Sequence, residues 1–143
     1  MHAAQLQLKH YFLSAFNYSV NPEFDPEKNI SLNFKDISVD YEVQPLNEET
    51  QHEWQVGLKV GFSPSVKGNA PYSFSGEIVG FFSVSKNAAK ERASFYIETN
   101  ATSVLYSTLR EIVCTITAKG PYRALLLPTV CFYEKKPNLE PEA

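Results

Sequence analysis

Three histidines, two cysteines and sixteen carboxylates are the residues of this 143-residue chain that could carry acid–base, nucleophilic or metal chemistry. General acid–base or nucleophilic catalysis needs such groups to converge on one reacting atom. His2, His10 and His52 lie far apart, flanked by ordinary strand or terminal residues, and form no triad or ligand spacing. His10 stands inside an alternating apolar run and reads as a half-exposed strand side chain. Cys114 and Cys131 belong to no CxxC pair and have no His cluster beside them, so neither a zinc site nor a disulfide scaffold follows. They read as small apolar fillers in a reducing compartment. Asp36, Asp40, Glu42, Glu48, Glu49 and Glu53 read as a solvated rim, because paired catalytic carboxylates also need a cleft. Gly57, Gly61, Gly76 and Gly80 fall within strand patterns, where they mark close packing or bulges, and no Gly-rich turn leads from a strand into a helix to cradle phosphate. The chemistry-bearing residues therefore point away from an enzyme and call for no cofactor and no metal.

What the sequence concentrates is apolar surface. A helix is expected over 101–119, with Thr99 or Asn100 capping its first turn, Gly120 going left-handed after its last, and Pro121 blocking continuation. Ala101, Leu105, Leu109, Ile112 and Ile116 recur at three- and four-residue spacing and make the face that lies on a sheet. A flanking stripe of Thr102, Tyr106, Val113 and Thr117 widens that face, while Ser103, Ser107, Arg110 and Glu111 mark the wetter side. The helix is apolar over more of its girth than one sheet contact requires. Either a loop of its own chain covers the flank, or another subunit does; the second reading is the sharper, and makes Thr102, Tyr106, Val113 and Thr117 an oligomer interface. After the helix comes Leu125-Leu126-Leu127-Pro128-Thr129-Val130-Cys131-Phe132, a run suited to holding something apolar.

The elements before the helix follow a period of two. Leu6, Leu8, Phe12, Phe16, Tyr18 and Val20 alternate, with His10 and Ser14 as exceptions. Ile30, Leu32 and Phe34 start a second alternation that Ile37, Val39, Tyr41 and Val43 continue in the other register, which needs a bulge or short break near Lys35-Asp36. Trp54 to Phe62 and Tyr72 to Val84 form two more, joined across a Pro- and Gly-rich loop as a hairpin, and Lys86 to Glu91 reads as a short turn. Strands first and helix afterwards indicate an α+β domain, an antiparallel sheet with one long helix on one face, rather than alternating βαβ units. The length suits one domain over 1–133, and the polar, Pro-containing residues 134–143 read as a disordered tail. A net charge of -3 with scattered lysines disfavours nucleic acid. No leader pattern opens the chain and no segment approaches the ~20 apolar residues that span a bilayer, so a soluble cytoplasmic protein is expected, without membrane insertion.

Taken in order, the N-terminal apolar strand, the hairpin ending Gly76-Glu77-Ile78-Val79-Gly80-Phe81-Phe82-Ser83-Val84, the helix containing Leu109-Arg110-Glu111-Ile112-Val113, and the Gly120 to Phe132 segment resemble the SecB family of export chaperones. The resemblance spans nearly the whole chain, and its most specific part is the Arg-Glu of the helix followed by the glycine and the Leu-rich, Phe-ending loop. It implies a four-stranded antiparallel sheet with helices on one side, a homo-oligomer built as a dimer of dimers, and ATP-independent holding of unfolded or precursor polypeptides in apolar grooves. Leu125, Leu126, Leu127 and Phe132 match the family motif as groove residues; Phe24 and Tyr106 join them from the apolar pattern. Glu77 stands where the family contacts the SecA motor. The stretch Ser14-Ala15-Phe16-Asn17-Tyr18-Ser19 has none of the acidic residues that motor-docking members present on the first strand, and no second helix is foreseen after Phe132, so delivery to SecA is not expected. A dedicated interaction or assembly factor, or a toxin–antitoxin-associated chaperone with the same fold, is the alternative.

Overall fold

The two-residue periodicity becomes four strands, β1 (Leu6–Val20), β2 (Ile37–Pro45), β3 (Glu53–Phe62) and β4 (Tyr72–Val84), in a sheet of order β1-β4-β3-β2 with every neighbouring pair antiparallel. The computed structural model describes residues 1–86 and 90–133, leaving out the side chains of Lys90 and Glu91; the expected disordered tail 134–143 and part of the expected turn Lys86–Glu91 lie outside the described residues. β3 and β4 form the foreseen long-looped hairpin, and their even-numbered residues, Trp54 to Phe62 and Tyr72 to Val84, are buried on one face. The second strand starts later than its apolar pattern suggests. Ile30, Leu32 and Phe34 belong to the long β1–β2 connection, a short 3₁₀ turn at Phe34–Asp36 supplies the break near Lys35-Asp36, and only Ser31 forms an isolated bridge, to Asn69.

Two bulges explain the irregularities of β1. Register shifts between Leu8 and His10 and between Leu13 and Ala15 leave Lys9 and Ser14 as extra residues. Each insertion flips the alternation. Leu6 and Leu8 lie opposite Val84 and Phe82 on the buried face; His10 and Phe12 lie opposite Phe81 and Val79 on the other; Phe16 and Tyr18 return to the buried face opposite Gly76 and Phe74. The alternation expected as one face is thus divided between two, and His10 stacks on Phe81 at 6.2 Å beside Phe12 on the open side.

The helix is longer than expected. Helical backbone runs from α1 (Lys90–Phe95) through a π-helical turn at Tyr96–Ala101 into α2 (Thr102–Thr117). Thr99 and Asn100 are therefore not caps. Thr99 sits inside a helical run, where its hydroxyl donates to the Phe95 carbonyl at 2.6 Å. The sheet receives the helix through two glycines: a Cβ on Gly80 would meet Leu105 Cδ2 at 2.7 Å, and one on Gly76 would meet Leu109 Cδ1 at 3.0 Å. Ala101, Leu105 and Leu109 are fully buried there, whereas Ile112 and Ile116 of the same stripe remain half-buried. The flank of Thr102, Tyr106, Val113 and Thr117 is buried as well.

Candidate functional site

The segment after α2 turns back along the helix, and polar contacts fix each step of its course. Gly120 does not adopt a positive φ, contrary to its expected role; it is needed because any Cβ there would run into the Tyr72 hydroxyl. That hydroxyl accepts from the Tyr122 N–H at 2.8 Å and donates to the Tyr122 carbonyl at 3.3 Å, which locks the turn. Leu125 N–H then donates to Thr117 Oγ1 at 2.8 Å, and the Thr117 hydroxyl donates in turn to the Val113 carbonyl at 2.7 Å. A buried threonine thus satisfies both the helix and the returning chain. Tyr106 Oη donates to the Pro128 carbonyl at 2.7 Å, and Arg110 Nη1 donates to Thr129 Oγ1 at 2.9 Å. Burial pushes the Tyr106 hydroxyl above the ordinary tyrosine range, with the nearby Arg110 guanidinium opposing the shift.

Extended backbone sends alternate leucines to opposite sides. Leu125 and Leu127 are 1% and 2% exposed and complete the core, while Leu126 is 66% exposed. Of the residues expected to grip a polypeptide, Leu125, Leu127 and Tyr106 are thus core residues in the single chain, closed off by their own packing. Phe132 is half-buried, edge-on to Tyr106 at 6.0 Å and to Tyr41 at 6.2 Å. Phe24 is half-buried at the other end, 4.7 Å from Tyr122. The expected interface residues Thr102, Tyr106, Val113 and Thr117 are buried within the single chain rather than exposed, and the returning segment bonds to Tyr106 and Thr117.

Leu126 lines an open groove of about 460 Å³ together with Leu127, Pro128, Thr129 and Arg110, and with Leu32 and Phe34 of the β1–β2 connection. Phe34 is 63% exposed, an aromatic ring left in water at the groove's edge. A second depression of about 360 Å³ lies between Phe24 to Ile30 of the β1–β2 connection and Tyr122-Arg123. Both depressions have one wall from the β1–β2 connection and the other from the returning segment. Sequence reasoning found the returning wall and missed Leu32 and Phe34, whose alternation was assigned to a strand. The signal that could have found them was the abrupt register change at Lys35-Asp36: apolar residues before a break need not share the sheet of those after it.

Glu77 lies away from this groove. Its carboxylate is 3.5 Å from Lys59 Nζ, in a cross-strand row where Asp40, Lys59, Glu77 and Ala15 stand side by side. The row alternates in sign rather than presenting a negative strip. Among the described residues no three His, Cys, Asp or Glu side chains gather to hold a metal ion, and no helix is long and apolar enough to cross a membrane.

Comparison with known proteins follows the same outline. The model of the family described as preprotein translocase subunit SecB matches residues 16–135. The chain belongs to the SecB family. The SecB match takes in the end of β1 from Phe16 on, the other three strands, the groove and the helix. Among solved structures, the Mycobacterium tuberculosis Rv1957 SecB-like chaperone, in complex with a ChAD peptide from the Rv1956 HigA1 antitoxin, superposes with a TM-score of 0.58 at 16% identity, covering 93% of each chain. A Streptococcus agalactiae protein of unknown function superposes with a TM-score of 0.56 at 14% identity, covering 89% of this chain and 99% of its own. The uncharacterized protein MJ0357 of Methanocaldococcus jannaschii is 22% identical over 136 residues, 94% of this chain and 84% of that one. The four-stranded antiparallel sheet with one long helix is thus a SecB-like fold, shared with chains of very different sequence.

Proposed function

We propose that this protein is an ATP-independent holding chaperone that binds extended, unfolded segments of other polypeptides in the groove between the β1–β2 connection and the residues after α2. The observation that carries this reading is the pair Leu126 and Phe34, two large exposed apolar side chains, one from each of the two segments that line one open groove. Covering a side chain of that size contributes roughly 1.5–3 kcal/mol before ordering costs. Two or three such anchors give a weak grip, suited to a client that must later be released. Phe132 and Phe24 extend the apolar path, and Leu125, Leu127 and Tyr106 support it from beneath.

The neighbour bound to an antitoxin peptide favours a second reading, in which the same groove serves one dedicated partner. In neither reading is the SecA motor a tight partner, because β1 lacks acidic residues and Glu77 faces Lys59. The protein acts in the cytoplasm and as a homo-oligomer, a dimer of dimers, with the contact surface moved from the α2 flank to β1. β1 is an edge strand of 15 residues with no proline and Lys9 as its one formal charge, and Tyr11, Phe12 and Leu13 on it are exposed.

Light scattering of an aggregating client, without nucleotide, tests the reading. Wild-type protein is expected to suppress aggregation of several unrelated clients, and the Phe34→Ser/Leu126→Ser variant to lose most of that protection while keeping its circular dichroism and mass. Protection of a single client alone favours the dedicated-partner reading, and equal protection by the variant places the holding surface elsewhere.

A further inference from the structure

One wall of the groove has almost no secondary structure to hold it: Asn21 and Asp36 tie its two ends to the β3–β4 loop, and between them Asn69 makes the most bonds. We infer that Asn69 is a positioning residue for client binding: its carboxamide fastens the β1–β2 connection and thereby sets where Leu32 and Phe34 stand. This rests on the groove being the holding site. Asn69 Nδ2 donates to the carbonyls of Asp25 at 2.9 Å, Asn29 at 3.1 Å and Lys28 at 3.4 Å, while its Oδ1 accepts from the Asp25 N–H at 3.0 Å. Its backbone pairs with Ser31 in both directions, at 2.9 and 3.0 Å, and its N–H also meets Ser31 Oγ. One residue of the β3–β4 loop therefore satisfies backbone groups over residues 25–31, which otherwise hold no ladder.

A carboxamide is suited to this and a carboxylate is not. The site presents carbonyl acceptors on one side and an N–H donor on the other, so it needs a group with both functions. Asp at 69 would keep the bond from the Asp25 N–H and aim a negative charge at three carbonyl oxygens. Ser31 leads by one residue to Leu32 and by three to Phe34, so slack in this clasp moves the groove wall directly. The clasp stands apart from the sheet core: Asn69 touches the connection, and the buried alternation of β3 and β4 does not depend on it.

Amide hydrogen exchange and client binding, measured on the same proteins, test the inference. Asn69→Ala is expected to retain its cooperative unfolding transition, to lose protection at the Asp25 amide, whose acceptor is the Asn69 carboxamide, and to bind a fluorescent unfolded client about tenfold more weakly. Rescue separates positioning from folding. Ser31 and Asn69 are a directly paired antiparallel couple, close enough for a disulfide, so Ser31→Cys/Asn69→Cys in a Cys114→Ala/Cys131→Ser background should bind tightly when oxidised and weakly when reduced. Unchanged amide protection in Asn69→Ala, or equal affinity of the oxidised and reduced forms, overturns the inference. If wild-type protein binds no client, the holding function fails and takes Asn69's part in binding with it, while the exchange data still decide whether Asn69 fixes the wall.

Discussion

Leu125, Leu126 and Leu127 are chemically identical and differ in what surrounds them, so they separate packing from function. Leu125→Ala leaves a cavity under the helix and is expected to cost about 2–5 kcal/mol, read from a denaturant midpoint. Leu126→Ser changes an exposed side chain and is expected to stay within about 0.5 kcal/mol of wild type while weakening client binding. A destabilising Leu126→Ser would place that residue in the core instead. Tyr106 offers a test by pH. Its folded-state pKa is raised by burial, so its contribution to stability is complete below the ordinary value of 10.0 and is lost as pH rises from there through the higher folded value. Deprotonation also removes the donor to the Pro128 carbonyl. Wild type should therefore lose stability as pH rises above the ordinary tyrosine value of 10.0 more steeply than Tyr106→Phe, as measured by urea unfolding; parallel losses would assign the alkaline sensitivity to other groups.

Among the elements, α2 corrects a division that looked sound in sequence. Its periodicity showed which residues are apolar, but a stripe is apolar whether its cover is a second chain or the residues that follow it in its own. Part of the cover is the returning segment, and its fastening depends on contacts such as Leu125 N–H to Thr117 Oγ1 that no spacing announces. Val113→Asp, which a subunit interface would turn into an assembly defect, is thus expected to unfold the subunit, because it buries an unpaired carboxylate at a cost of several kcal/mol (~3–5). A folded, dissociated Val113→Asp would restore the interface. The sheet was legible for a matching reason: β3 and β4 keep strict alternation because each has one buried face. β1 was legible as a strand but not in its faces, since the bulges at Lys9 and Ser14 leave the count of apolar residues nearly unchanged while reversing their side. The groove was half legible, through Leu126 and Phe132, because its other wall is irregular backbone held by Asn69 rather than by any periodic pattern.

At the scale of the whole molecule, the described residues leave apolar side chains in water both at the groove and along the edge strand β1, with its exposed Tyr11, Phe12 and Leu13. Their differing form assigns them differently. A long edge with unpaired backbone groups suits a second copy of the chain, and a groove between loops suits a client without fixed sequence. Light scattering is expected to give the mass of four chains, reduced by Tyr11→Lys/Leu13→Lys with the fold retained; the mass of one chain for wild type at micromolar concentration would remove the assembly. Client binding, being largely apolar, should persist at raised salt, where charge-driven contacts are screened over a Debye length of ~3 Å at 1 M.

The most direct measurement places a photo-crosslinking amino acid, p-benzoylphenylalanine, at Phe34 in the groove or at Phe12 outside it, and irradiates each protein with an unfolded client. Crosslinks to the client from position 34, absent or minor from position 12 and lost when the client is allowed to fold first, are what a holding groove predicts. Crosslinks from position 12 with none from position 34 would contradict it.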